Sequence, residues 1–446
     1  MTSSTLQRRG AATGSQPLGR RLRLGAAVLA GRAAALASRL SGRGSGASIR
    51  GQVMLRLDPT ALATLLQGRR IAAVSGTNGK TTTTHLLAAA VRAGLGADAD
   101  RVVTNADGAN LHHGIASALG QAPHADVAVL ETDERVVADV VRLGRPEVLV
   151  LLNFSRDQLD RHHEIKALGR SWRNALEAAG ADGPVVVANA EEPLIVWAAQ
   201  TAREVVWVDT ASRWQQDASL CPQCGAGLAR TQPDPETGEG GDWSCTGCDL
   251  AEPRAALKVR DGQIIDTDGR RWDPRLQVPG GFNVGNAAHA LAAAHLLGVG
   301  TEDALAGMRT VTSPGGRFAT ATIAGTTVRL VLAKNPAGWA EALPLARSET
   351  VVLAIDSAAA DGRDVSWLWD VEYEQLRGRR VVCTGPRAQD LAVRLTYAEV
   401  DFAVEPDLAE ALRLARAHGS AERSEPFDVI ATYTPFQRLR RIGGIA

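Results

Sequence analysis

The chain has 446 residues, 45% hydrophobic and 22% charged, enough apolar material for several cores in roughly two to four domains. Its 49 Lys and Arg balance 49 Asp and Glu, and aromatic residues make up only 4%. That excludes a global polycation for coating nucleic acid and a stacking platform for bases; five cysteines exclude a secreted disulfide scaffold, so a cytoplasmic, multidomain protein is expected.

Charge is balanced but unevenly spread. Residues 1–50 form a basic arm with nine Arg and no acid. Its apolar run Gly25–Gly31 stops at Arg32, too short to span a bilayer, which takes about 20 residues. Leu18, Leu22, Leu29, Leu36 and Leu40 recur at helical spacings. They predict a basic amphipathic helix, either packed on the body or lying against an anionic membrane surface. The glycines of Ser41–Ala47 mark a loop before the folded body.

Ile71–Ser75 reads as a short buried strand running into Gly76-Thr77-Asn78-Gly79-Lys80-Thr81-Thr82 and then a helical stretch, Thr83–Arg92. A strand, a Gly-rich turn and a helix start make an anion site, because free N–H groups and the helix dipole converge there. Gly76 and Gly79 let the backbone approach phosphate, Lys80 reaches the β- and γ-phosphates, and the Thr81 hydroxyl ligates Mg²⁺. Val74 stands where the general pattern has a first glycine, so the loop is a variant of it. Further on, the apolar strand Val127–Leu130 ends in Glu131-Thr132-Asp133-Glu134. Glu131 and Glu134 are candidate Mg²⁺ ligands, being carboxylates at a strand's carboxyl end beside the loop.

Cys221-Pro222-Gln223-Cys224 and Cys245-Thr246-Gly247-Cys248 pair two CxxC knuckles. That spacing presents four thiolates to one Zn²⁺, a closed structural site on a ribbon inserted at about 217–252. Trp243 would pack against the knuckle, and Cys383 lies in an apolar run as a core thiol. Asn283 and Asn286 precede an Ala-rich helix, where their amides either pair with an adenine edge or cap the helix. Beyond residue 313, strand-like runs Val351–Ile355, Val381–Thr384 and Val429–Thr432 alternate with helical Ala388–Leu395 and Leu408–Ala417. The alternation predicts a parallel sheet with crossover helices.

Gly-Thr-Asn-Gly-Lys-Thr-Thr-Thr from Gly76 resembles the ATP loop of the Mur ligase family. So, in order, do Thr104-Asn105 with Gly108-Ala109-Asn110, the Leu152–His162 segment, Phe282–Ala288, and Pro314-Gly315-Gly316-Arg317-Phe318. Departures select a branch. Only 70 residues precede the loop region, leaving no room for a uridine-binding domain, and Gln158 and Arg173 stand where the family has a metal-binding His and a carbamylated Lys. Leu332–Gly338 replaces the last domain's Asp-Tyr-Ala-His-Asn-Pro. These features, the four cysteines, Asp361-Gly362-Arg363-Asp364-Val365-Ser366-Trp367-Leu368-Trp369-Asp370 and Ala431–Thr434 resemble the MurT family. Its members are the Mur ligase-like subunits of lipid II isoglutaminyl synthases.

The resemblance implies an α/β fold: a Mur ligase central P-loop ATPase domain at 51–312 carrying the zinc ribbon, and a Rossmann-like domain at 313–446. It implies ATP, Mg²⁺ and structural Zn²⁺, and Arg317 beside Lys80 on the transferring phosphoryl group. It also implies a heterodimer with a GatD-type glutaminase, whose Cys-His pair is completed by Asp364 or, second, Asp370, and lipid II as substrate at the inner membrane face. Two rivals stand beside it: a folylpolyglutamate- or Mur-like amino acid ligase acting alone, and a non-catalytic ATP-binding scaffold.

Overall fold

A computed structural model of the chain describes residues 18–40, 47–105, 109–155, 165–211, 219–232, 241–312, 317–323, 325–358, 361–418 and 426–445. Among the described residues, two large sheets and one small ribbon carry the architecture. The first sheet is assembled from β1 (Arg70–Ser75), β2 (Val102–Thr104), β3 (Val127–Glu131), β4 (Val148–Leu151), β5 (Val185–Asn189) and β6 (Glu204–Asp209). Next along the chain, β7 (Leu228–Arg230) and β8 (Trp243–Cys245) form a separate antiparallel ribbon. The strands β9 (Leu257–Arg260), β10 (Gln263–Asp266) and β11 (Arg271–Trp272) then return to the first sheet. Its order is β11-β10-β9-β6-β5-β4-β1-β3-β2, parallel from β9 to β2 and antiparallel at the β10 and β11 edge.

Alternation along β1 shows why this sheet is covered on both faces. Ala72 and Val74 join one apolar cluster with the helices Lys80–Leu95, Phe282–Leu296 and Thr301–Met308. Ile71 and Ala73 point the other way, into a cluster with helices that include His112–Gln121 and Val137–Gly144. A strand buried on both faces must be apolar at every position, as the run Ile-Ala-Ala-Val is. β1 is also where the chain's order reverses, between β3 and β4, which makes it the topological switch point.

The second sheet has β12 (Phe318–Ile323), β13 (Thr326–Leu332), β14 (Thr350–Ala354), β15 (Arg380–Thr384), β16 (Asp401–Val404) and β17 (Phe427–Ala431). Its order is β12-β13-β17-β14-β15-β16. The expected strands and crossover helices are there, the helices spanning Ala388–Tyr397 and Leu408–His418. The β12–β13 hairpin adds an antiparallel edge that periodicity did not indicate. Asp428 in β17 is buried and accepts from Arg329, from the Arg347 and Ser348 amides and from the Ser348 hydroxyl, fixing the β13–β17 seam.

The arm folds as a helix, Leu18–Leu40, lying on the helix Ala47–Leu57. Its buried residues are Ala27, Gly31 and Ala35, while the five leucines face outward. Small residues permit the close approach: a Cβ on Gly31 would come within 2.7 Å of the Arg50 carbonyl oxygen. No described helix is long and apolar enough to cross a membrane.

Candidate active site

The turn after β1 places the phosphate loop. Gly76 (φ +141°) and Gly79 (φ +83°) take backbone conformations that side chains disfavour. A Cβ on Gly79 would meet Asn286 Oδ1 at 2.5 Å, so the loop also needs glycine for space. The helix starts at Lys80, three residues earlier than its apolar pattern suggests, bringing Lys80, Thr81 and Thr82 into its first turn. All three are buried.

Pairing across the sheet explains what surrounds the loop. Val74 is in register with Glu131 on one side, and Ser75 with Leu151 on the other. The residues just past β4 therefore brace the loop. Thr77 N donates to the Asn153 carbonyl (2.9 Å), Asn78 N to Asn153 Oδ1 (2.8 Å), and Asn78 Nδ2 to Ser155 Oγ (3.0 Å). Lys80 Nζ donates to the carbonyls of Gly76 and Thr77 and pairs with Glu134 Oε1 at 3.1 Å. Glu134, expected near Mg²⁺, is thus held on the loop lysine.

Glu131 is 1% exposed. Asn110 Nδ2 donates to its Oε1 (3.0 Å), and Asn105 clamps its backbone by accepting from its N–H and donating to its carbonyl, both at 2.8 Å. Its Oε2 is buried with no hydrogen-bond partner among the described residues. A buried carboxylate oxygen without a donor is costly unless a cation or proton meets it, so the residues here fit a divalent ion.

A cavity of about 830 Å³ opens over the loop between the two sheets' domains. Glu131, Glu134, Asn286, Arg317 and Lys334 are on its wall. Arg317 Nη2 donates to Thr81 Oγ1 (3.0 Å), Asn335 Nδ2 to Asn78 Oδ1 (3.2 Å), and Phe282 stacks on Phe318 at 6.4 Å. Two domains therefore meet on one phosphate loop. Asn335 also caps the helix Pro336–Ala342 through Gly338 N, so the rebuilt segment Leu332–Gly338 forms part of the cleft.

Of the two adenine-side candidates, Asn286 lines the cavity, while Asn283 is fully buried. Asn286 Nδ2 donates to Asn283 Oδ1 (2.9 Å) and Asn283 Nδ2 to the Pro279 carbonyl (2.6 Å). Neither side chain caps the helix Phe282–Leu296. His289, one turn on, donates from Nδ1 to the Gly285 carbonyl (2.9 Å), and burial pulls its pKa down to about 4, so it is neutral. Arg173 lies over the Trp197 ring at 5.2 Å and does not line the cavity. Gln158, Asp160, Arg161, His162 and the Pro314–Gly316 turn lie outside the described residues.

The four thiols of Cys221, Cys224, Cys245 and Cys248 gather with all Sγ atoms within 4.8 Å of one another. Tetrahedral zinc–sulfur bonds would space them by about 3.8 Å, and the Cys221–Cys248 and Cys224–Cys245 pairs are at 3.6 and 3.4 Å. Trp243 packs on the knuckle as expected and donates from Nε1 to the Ala190 carbonyl (3.1 Å), tying the ribbon to the end of β5. Cys383 is a buried core thiol, raised to about 12 by burial.

The Asp361–Asp370 segment departs from expectation. Loops just past parallel strands are expected to bring their acids toward the cleft at the strands' carboxyl ends, but none of these acids lines the cavity. Asp361 is buried and accepts from Thr434 N (2.8 Å). Asp364 is exposed and accepts from Ser366 N (2.8 Å), which holds its carboxyl below the usual range. Asp370 closes a short 3₁₀ turn, Ser366–Asp370. Beside them Trp369 and Tyr397 meet edge-on at 5.2 Å while 53% and 71% exposed. The segment turns outward because Trp367 and Leu368 are drawn into the core beneath β14, Trp367 against Trp339.

The bracing asparagines Asn105, Asn110, Asn153 and Asn335 were not singled out as site residues from sequence. They lie within or beside segments whose motifs were noted; strand register brings Asn105, Asn110 and Asn153 to the loop, and the second domain brings Asn335 from across the cleft.

Comparison with known proteins agrees with this geometry. Residues 74–223 match the Mur ligase middle domain and residues 332–436 the MurT ligase C-terminal domain. The lipid II isoglutaminyl synthase (glutamine-hydrolyzing) subunit MurT of Staphylococcus aureus (strain N315) is 29% identical over 84% of this chain and 88% of its own. That of Streptococcus pneumoniae (strain ATCC BAA-255 / R6) is 28% identical over 93% and 96%. Among solved structures, a pseudomurein peptide ligase type C from Methanothermus fervidus superposes with TM-score 0.60 at 19% identity, covering 84% of this chain and 78% of that one. MurF from Acinetobacter baumannii gives 0.58 at 15%, covering 89% and 79%; these two share the fold. The chain is a Mur ligase-fold protein that carries the MurT-type C-terminal domain and is a homologue of the MurT subunits.

Proposed function

We propose that this chain is the ATP-dependent ligase subunit of a glutamine-hydrolysing lipid II isoglutaminyl synthase. ATP occupies the cavity with its phosphates on Gly76–Thr82. Glu131 and the Thr81 hydroxyl would hold Mg²⁺, which would supply neutralisation of phosphate charge. The observation that carries the reading is the buried, donor-free Glu131 oxygen beside an intact Gly-Lys-Thr turn, in a cleft closed by the MurT-type domain.

The substrate is the α-carboxylate of D-glutamate in the lipid II stem peptide. One carboxylate oxygen attacks the γ-phosphorus, the bond to the β-phosphate oxygen breaks, and an acyl phosphate and ADP result. Lys80 and Arg317 stabilise the charge on the transferring group. For Lys80 this requires exchanging Glu134 and the loop carbonyls for phosphate oxygens. Ammonia then adds to the acyl carbon, loses a proton and expels phosphate, leaving the D-isoglutamine amide. Domain closure through Arg317 and Asn335 excludes the water that would hydrolyse the acyl phosphate.

Ammonia comes from a GatD-type glutaminase docked on the second domain. Asp364 completes that subunit's Cys-His pair by orienting the imidazole; its outward position and the neighbouring Trp369 and Tyr397 support a partner rather than the cleft. The four thiols would hold zinc as a structural brace. The complex works at the inner face of the plasma membrane, where its substrate is anchored. Lipid II incubated with ATP, glutamine and the co-purified complex should lose about one dalton as hydroxyl becomes amide. Addition of an amino acid mass instead would overturn the reading.

A further inference from the structure

Among the described residues, none covers one side of the Leu18–Leu40 helix. Leu18, Leu22, Leu29, Leu36 and Leu40 are 72%, 66%, 65%, 59% and 81% exposed. Their separations of four, seven, seven and four residues return each to the same side of the helix. Ala27, Gly31 and Ala35 bury the other side against the body. There Arg23 donates to the Leu57 carbonyl and faces Asp58, fixing the helix in place. The leucines are therefore held outward by the packing of small residues behind them.

Exposed arginines accompany the stripe. Arg21, Arg32 and Arg39 fall together along one flank of it, and residues 1–50 contain no acid. The helix is about 34 Å long, amphipathic and interrupted by charge, which suits lying in a bilayer plane rather than crossing it.

We propose that this stripe is a docking surface for an anionic lipid bilayer, with the leucines at the acyl boundary and the arginines at the lipid phosphates. Charge complementarity selects this occupant. A second copy of the same face would bring arginine rows together with no acid in the arm to offset them, whereas anionic headgroups neutralise them. The inference rests on the function above only for its purpose, bringing the cleft to a lipid-linked substrate; the binding itself needs no substrate.

The test is sedimentation of the full chain with vesicles of phosphatidylglycerol and phosphatidylcholine, against phosphatidylcholine alone. The unchanged chain should pellet with the anionic vesicles, and Leu22→Glu/Leu29→Glu/Leu36→Glu should partition at least about tenfold less. Leu29→Ser/Leu36→Ser is the milder second variant, and nucleotide binding and thermal melting check that both fold. Arg21→Gln/Arg32→Gln/Arg39→Gln should lose about fivefold per arginine on anionic vesicles and nothing on neutral ones. A chain that stays in the supernatant, or folded leucine variants that bind as well as the parent, would overturn the proposal. So would light scattering that shows the leucines joining two copies instead. Amidation of a soluble stem-peptide analogue, scored separately, judges the enzymatic reading independently of membrane binding.

Discussion

The phosphate loop and the Asp361–Asp370 segment stand in equivalent places, each just past the carboxyl end of a parallel strand inside a sheet. They are built in opposite ways. Around the loop the backbone, the lysine and the strand-end acid are each held by another element: Asn153 holds the backbone, Glu134 holds Lys80, and Asn105 holds Glu131. The Glu131 oxygen that a cation would meet is buried with no hydrogen-bond partner among the described residues. Asp364, by contrast, is bonded among the described residues to its own turn and faces outward. A site meant to act alone is preorganised by its own protein, while one completed by another subunit must leave its acid accessible. On the proposed function, the loop is a self-sufficient ligase centre and Asp364 a contribution to a neighbour's catalysis.

That separation breaks most sharply at Asp364. In the complex, Asp364→Asn should lower glutamine-driven amidation by about 10⁴-fold, the scale expected when a triad acid is neutralised. Amidation fed by ammonium salt should persist at the parental rate, and Asp370→Asn should leave both intact. Equal loss with either nitrogen source would mean that Asp364 serves the ligase centre instead. Lys80→Ala gives the converse pattern: amidation should fall by about 10²- to 10³-fold with glutamine and ammonium alike, while glutaminase activity, assayed as glutamate release, continues. Retention of amidation would favour the scaffold reading.

Asp428 tests whether the second domain is an independent platform for its outward loop. Burial raises its pKa, but Arg329, the Ser348 and Arg347 amides and the Ser348 hydroxyl more than offset this and hold the carboxyl below its ordinary 3.8. A depressed carboxylate stabilises the fold above its unfolded pKa and loses that contribution as pH falls through the folded value. Asp428→Asn should therefore cost about 3 kcal/mol near neutrality, with the difference from the parent shrinking in acid, as read by denaturant unfolding at several pH values. A pH-independent difference would mean packing, not charge, is responsible.

The smallest effect is expected at the ribbon. Chelation, or Cys221→Ser with Cys245→Ser, should remove bound zinc measured by metal analysis and make the 219–252 segment sensitive to protease. Nucleotide affinity should be little changed, because the ribbon meets β5 through Trp243 rather than through the phosphate loop. A large drop in nucleotide binding would instead give the ribbon a direct part in the ATP site.

Much of this could be read without coordinates. A strand-turn-helix with Gly-Thr-Asn-Gly-Lys-Thr fixes its own geometry, because glycine conformations and free helix N–H groups are local properties. Two CxxC knuckles likewise define a four-thiol cluster whatever the surrounding fold. Local order also predicted the helical arm and the strands of the second domain. Tertiary structure decided the rest. Strand register placed Glu131 and Asn153 on either side of one loop, although 22 residues separate them in sequence. Packing of Ala27, Gly31 and Ala35 determined which side of the arm helix is exposed, and burial of Trp367 turned Asp364 outward from the cleft. Propensity and turn chemistry act over a few neighbours, whereas burial depends on which distant segments compete for the same core.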